Sequence, residues 1–166
     1  MRLLTIALLL PLGSAAQAAE PRVLLETAFG QRFEPVTGYE GASGLLHEGW
    51  QENSDWAKAK LRYAVERLTE EHTAQRVTVE DPGTAMGQIR CLSNFQVRAG
   101  KYYELLIGLK AERDLKVGVA LRNGSAPYKP ITILKDFKVG TEWKTWRFTA
   151  KAEEATPARL TVRFHE

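Results

Sequence analysis

The sequence predicts an all-β protein, an antiparallel β-sandwich or jelly roll. Three observations carry this: apolar and polar residues alternate over short runs, Gly, Pro and Asn punctuate those runs, and no long stretch has a clean helical period. Arg76-Val77-Thr78-Val79 is the first clear strand and ends at the turn signal Asp81-Pro82-Gly83. Gln88 to Val97 is a second, closed by Ala99-Gly100. In Tyr103 to Leu109 the residues Tyr103, Leu105, Ile107 and Leu109 share one face. Leu115 to Arg122 repeats the pattern, with Leu115, Val117, Val119 and Leu121 on one face and Lys116, Gly118, Ala120 and Arg122 on the other. Asn123-Gly124 then marks a turn. Trp146 and Phe148 alternate within Trp143–Thr149, as do Leu160, Val162 and Phe164 near the end. Trp56 to Glu71 is the one ambiguous stretch. Ser54 or Asp55 would cap a helix there, but Leu61, Tyr63 and Val65 alternate, which predicts a strand over Lys60–Glu66.

The first 18 residues read as an export leader. Arg2 precedes an apolar run from Leu3 to Leu12, followed by small residues and the cleavage pattern Ala16-Gln17-Ala18. The run is too short for a permanent membrane anchor. The expectation is a secreted or periplasmic protein whose mature part, residues 19–166, is one soluble domain without membrane insertion.

Composition narrows the chemistry. The chain carries 23 Lys and Arg against 20 Asp and Glu. That balance, with the basic residues scattered, does not point to nucleic acid. Cys91 is the only cysteine, so no internal disulfide forms, and a small buried apolar role is expected for it. His47, His72 and His165 are far apart and form no metal-ligand pair. Gly41-Ala42-Ser43-Gly44 lacks the spacing of a nucleophile elbow, and phosphate-binding glycine loops are missing. Glu70-Glu71, Glu80-Asp81 and Glu153-Glu154 are adjacent pairs, which on a strand point to opposite faces rather than converging on one bond. No catalytic constellation is legible, and the protein is not expected to be an enzyme.

A resemblance sharpens the reading. Ala99-Gly100-Lys101-Tyr102-Tyr103 with the strand ending Leu109-Lys110-Ala111 resembles a segment of the carbohydrate-binding modules of families 4, 9, 16 and 22. Phe33-Glu34, Gly49-Trp50, His72 to Val79, Val117 to Tyr128 and Glu142-Trp143-Lys144 resemble further motifs of that group, in the same order, over roughly residues 33–165. The resemblance implies a galactose-binding-like β-sandwich of jelly-roll type. It implies non-catalytic binding of a polysaccharide or oligosaccharide, and a separate glycoside hydrolase as a partner. Two departures stand out. Thr73-Ala74 replaces a Ser-Gly turn, and the sequence stops at His165-Glu166, where these modules continue into a last, acidic strand. That would leave a sheet edge unpaired, so either the first strand substitutes locally or the chain is a truncated or split member of the group. It also weakens the structural calcium site the resemblance implies, for which Glu34 is the remaining candidate ligand.

Sugar recognition needs aromatic faces for C–H surfaces and planar polar groups for hydroxyl pairs. In the resembling modules the ligand lies on the outer face of the concave sheet, and parity then selects Arg122, Lys110, Gln88 and Arg90, with Gly118 and Ala120 leaving room for a ligand. Trp50 and Trp56 lie in a polar stretch read as a loop, and Tyr128 follows Ala126-Pro127 on a turn. These seven are the carbohydrate-binding candidates, with Gln51, Asn53 and Asp55 nearby, whereas Trp143 and Trp146 are expected at the core or its edge. The competing reading is a cell-envelope structural or protein-interaction sandwich that does not bind sugar. Fold alone does not separate the two.

Overall fold

The computed structural model describes residues 2–12, 32–70, 72–84, 87–91, 95–131 and 135–164. The side chains of 2–12, 88–91, 135 and 150 lie outside the description. The regular structure of the described chain is strand apart from one short 3-10 turn, arranged as two sheets around one apolar core. The first sheet has seven strands: β1 (Arg2–Leu12), β2 (Phe33–Pro35), β3 (Ala42–His47), β5 (Lys60–Arg67), β6 (Thr73–Asp81), β9 (Tyr102–Ala111) and β12 (Lys144–Lys151), in the order β12-β9-β1-β6-β5-β3-β2. The second holds β4 (Trp50–Glu52), β7 (Gly87–Cys91), β10 (Leu115–Asn123), β11 (Lys135–Val139) and β13 (Thr156–Phe164) in the order β11-β10-β13-β7-β4, with β8 (Phe95–Val97) paired to one end of β13. All pairings are antiparallel except β3 with β5.

The alternation read from the sequence is the alternation that builds the core. Tyr103, Leu105, Ile107 and Leu109 of β9 are buried, as are Leu115, Val117, Val119 and Leu121 of β10 and Leu160, Val162 and Phe164 of β13. Each fully buried side chain of this size contributes about 1.5–3 kcal/mol. These residues come from both sheets and form one cluster, which is what makes the assembly a sandwich. The ambiguous stretch resolves as expected: β5 is a strand over Lys60–Arg67, and only Asp55–Ala57 forms a short 3-10 turn. The expected strand Gln88–Val97 is two strands, β7 and β8.

The parallel step from β3 to β5 covers only Ala42 to Gly44 against Leu61 to Tyr63. Two residues secure it. Gly44 has φ +96, and a Cβ there would lie 1.9 Å from the Tyr63 carbonyl oxygen, so only glycine lets the strands approach. Gln75, fully buried, donates from Nε2 to the carbonyls of Leu45 and Ala64 at 3.0 Å and accepts from the His47 N–H at 2.9 Å. It thereby ties β3 to β5 and β6.

Residues Arg2–Leu12, the apolar run of the leader pattern, lie as β1 between β6 and β9, pairing from Arg2–Ala111 through Leu12–Tyr102 along β9. The first strand of the chain therefore closes both neighbouring edges. The cleavage pattern Ala16-Gln17-Ala18 lies outside the described residues, as do His165 and the side chain of Cys91.

Candidate functional site

The site is built on the outer face of the second sheet. Because Leu160, Val162 and Phe164 point into the core, Arg159, Thr161 and Arg163 of β13 point out. Register aligns them in rows with β10: Arg159 opposite Arg122, Thr161 opposite Ala120, and Arg163 opposite Gly118. One strand further out, Asp136 of β11 stands opposite Gly118. With no side chain on Gly118, Arg163 and Asp136 meet across β10 at 3.8 Å, and Lys116 joins the same carboxylate at 3.2 Å.

Two loops wall this face. After β10, Asn123 Oδ1 accepts from the N–H and hydroxyl of Ser125, both at 3.1 Å, which starts the turn that Asn123-Gly124 signalled. The loop folds back so that the Lys129 carbonyl accepts from the Asn123 N–H at 2.9 Å and the Leu121 carbonyl from the Ile131 N–H at 2.9 Å. Arg122 Nε donates to the Tyr128 carbonyl at 2.8 Å, fixing loop and guanidinium together. Tyr128 has φ +53, a backbone conformation uncommon for a residue with a large side chain, and its ring is exposed. The opposite wall is the 3-10 turn Asp55–Ala57. The Asp81-Pro82-Gly83 turn holds it: Asp81 Oδ1 accepts from the Gly83 N–H at 2.8 Å, and Thr84 donates to the Ala57 carbonyl from its N–H at 2.7 Å and its hydroxyl at 3.2 Å. Gly83 has φ +64, and a Cβ there would lie 2.0 Å from that same carbonyl oxygen. Trp56 is presented outward, 54% exposed, its indole N–H donating to the Asn53 carbonyl at 2.7 Å.

Between these walls lies a cavity of about 650 Å³ lined by Asn53, Trp56, Arg122, Asn123, Pro127, Tyr128, Arg159, Thr161 and Arg163. Its chemistry is two aromatic side chains, amides, a hydroxyl and three guanidiniums, with no carboxylate, imidazole or thiol among the described lining residues. The Arg163 guanidinium is pulled below its ordinary range by burial. The Arg122 charge acts in the same direction, and Asp136 opposes both. At the rim, burial pushes the Glu52 carboxyl above the ordinary carboxylate range and Asp55 adds to this, against hydrogen bonds from Ser54 and Asn53.

Of the sequence candidates, Trp56, Arg122 and Tyr128 come together here. Gln88 and Arg90 stand on β7 in register with Arg163 and Thr161, and Arg90 with Gln51 of β4; their side chains lie outside the described residues. Trp50 is not on a loop. It opens β4, pairs with Cys91, and is 4% exposed in the core, so it presents no stacking face. Lys110 is on β9, in the other sheet, because the chain crosses between sheets after Ala111. Gly118 and Ala120 are buried beneath the neighbouring side chains rather than open to a ligand. Trp146 packs at the core edge against Phe137, ring centroids 4.7 Å apart, whereas Trp143 is exposed. Glu34 is exposed on β2 opposite Leu46, and no group of three His, Cys, Asp or Glu gathers among the described residues. Arg159 and Arg163 were not among the candidates. Parity on the last strand marks them as outward, but only the β10–β13 register brings them beside Arg122.

A scan against protein-family profiles and a search of curated proteins find no match. Among solved structures, one described as "CBM4 structure and function" superposes with a TM-score of 0.56 at 17% sequence identity, covering 70% of this chain and 76% of its own. The chain therefore has the β-sandwich fold of a family 4 carbohydrate-binding module.

Proposed function

We propose that this protein is a non-catalytic carbohydrate-binding module that holds a polysaccharide or oligosaccharide in the cavity on the outer face of the β10–β13 sheet. The observation that carries the reading is convergence. Trp56 and Tyr128, from loops far apart in sequence, face one cavity whose floor offers guanidinium, amide and hydroxyl groups. Aromatic faces accept the C–H side of a pyranose, and the planar polar groups match vicinal hydroxyls. A volume of about 650 Å³ is in the range of small-molecule pockets and fits a short run of sugar units. The likeness to a family 4 module supports the same reading. The lack of a carboxylate among the described lining residues favours binding over hydrolysis, since glycoside cleavage uses a pair of them. Affinity for a single site of this kind is expected at a Kd on the order of micromolar to millimolar.

The reading includes export, on the leader pattern of residues 1–18, and action beside a separate glycoside hydrolase. Affinity electrophoresis of the protein against xylans, β-glucans, mannans and acidic exopolysaccharides tests it. Retardation by one class, abolished by Tyr128→Ala with unchanged thermal melting, is the expected result. A folded protein retarded by no glycan would move the assignment to an envelope interaction domain.

A further inference from the structure

We infer that the ligand of this cavity carries acetamido groups, as a glycan of N-acetylated amino sugars does, and that the Asn53 amide beside the Trp56 ring recognises them. This rests on the carbohydrate-binding reading and deepens it by naming the sugar class. Hydrogen bonds within the protein decide which groups of the cavity remain for a ligand. Two carbonyls at its walls are taken: that of Asn53 accepts from the Trp56 indole at 2.7 Å, and that of Tyr128 from Arg122 Nε at 2.8 Å. Asn123 is half engaged. Its Oδ1 accepts from the N–H and hydroxyl of Ser125, which leaves its NH2 as a donor. The side-chain amide of Asn53 is different. It lines the cavity, and no hydrogen bond among the described residues engages either its oxygen or its nitrogen.

A primary amide with both groups available complements another amide, donating to its carbonyl and accepting from its N–H. An acetamido substituent on a sugar ring is such a partner, and its methyl needs an apolar surface. Trp56 supplies that surface. Its side chain is 54% exposed while its N–H is already held by the Asn53 carbonyl, so what it offers a ligand is the ring. The same hydrogen bond keeps ring and amide side by side as one unit. That unit sits on a turn secured by Thr84, which donates twice to the Ala57 carbonyl. The acetamido oxygen has two lone pairs, so the Asn123 NH2 across the cavity is a second donor of the right kind. A single hydroxyl does not span the two amide atoms of Asn53. A pair of hydroxyls does, but leaves the ring beside it without the methyl.

The test titrates the full chain with chito-oligosaccharide and cello-oligosaccharide of equal length. The two share their linkage and differ in carrying an acetamido group or a hydroxyl at one ring carbon. The expected result is binding of the chito-oligosaccharide at least about tenfold tighter. Asn53→Ala, which keeps the backbone carbonyl that holds Trp56, is expected to remove most of that preference, with the thermal melt and the affinity for cello-oligosaccharide little changed. Saturation-transfer NMR on the unaltered chain gives a second reading that does not depend on a variant: the acetamido methyl is expected to receive more saturation than the sugar ring protons. Equal affinity for the two oligosaccharides, a preference that survives Asn53→Ala, or a methyl that receives no saturation overturns the inference but leaves a sugar-binding module. Binding of neither oligosaccharide, nor of the polysaccharides tested above, overturns both.

Discussion

The outward faces of the two sheets are built differently. On the seven-stranded sheet arginines are matched across strands: Arg62 with Glu80 at 3.1 Å, Arg76 with Glu66 at 4.0 Å and Glu112 at 3.4 Å, and Arg147 with the buried Glu104 at 3.4 Å. On the six-stranded sheet Arg163 and Lys116 share Asp136, and Arg122 and Arg159 stand opposite each other in a cavity walled by two aromatic rings. Matched pairs give a face that solvates well and specifies register, each exposed pair contributing little stability. A walled cavity that combines aromatic rings with amide, hydroxyl and guanidinium groups is suited to a ligand that has both apolar faces and polar groups. On the proposed reading the six-stranded sheet carries the ligand and the seven-stranded sheet supports it.

The largest way to break the comparison is to remove Arg2–Leu12, as cleavage of a leader would. β1 lies between β6 and β9, so its loss opens two edges in the supporting sheet and none in the sheet that carries the cavity. Chemical denaturation and light scattering of the shortened chain are expected to show lower stability than the full chain and a tendency to self-associate through those edges, a larger effect than any single substitution, with the sheet that carries the cavity still folded as the export reading requires. Unchanged stability would show that β1 contributes nothing to the seven-stranded sheet. Leu160→Ala follows. The side chain is fully buried between the sheets, and the change is expected to cost about 2–5 kcal/mol, read as a lower Tm with both sheets melting together.

Smaller effects sharpen the distinction. Tyr128→Ala, at an exposed ring, is expected to weaken glycan binding about tenfold, near 1.4 kcal/mol, with little change in Tm. The same substitution at exposed Trp143, outside the cavity, should leave affinity as it was. The smallest effect is a pH dependence. Burial holds the Glu52 carboxyl above its ordinary range, so the fold favours the protonated form. That contribution is fully present below the unfolded carboxyl pKa and is lost as pH rises through the folded one. Glu52→Gln should therefore melt above the parent at neutral pH and draw level in acid. A variant less stable than the parent at neutral pH would contradict this sign.

Much of the supporting structure was legible because it depends on a local period. Alternation in β5, β9, β10 and β13 places the core residues from neighbours two apart, without reference to the rest of the chain. Trp50 was misplaced because β4 has only three residues, too few to show a period, and polar neighbours made the stretch read as a loop. The site was half legible. Arg122 follows from strand parity, and Trp56 and Tyr128 from turn composition. Their convergence with Arg159 and Arg163 depends on which strands become neighbours, and that pairing joins residues far apart in sequence. No local signal encodes it.

The most direct test of the account follows the four tryptophan indole N–H resonances while an oligosaccharide of the preferred polymer is added. Trp56 lines the cavity, whereas Trp50 is in the core, and Trp143 and Trp146 do not line it. The account predicts a saturable shift of the Trp56 indole, lost in Tyr128→Ala, with Trp50, Trp143 and Trp146 unmoved. Binding that shifts Trp143 or Trp146 and leaves Trp56 in place would contradict it and put the ligand elsewhere on the molecule.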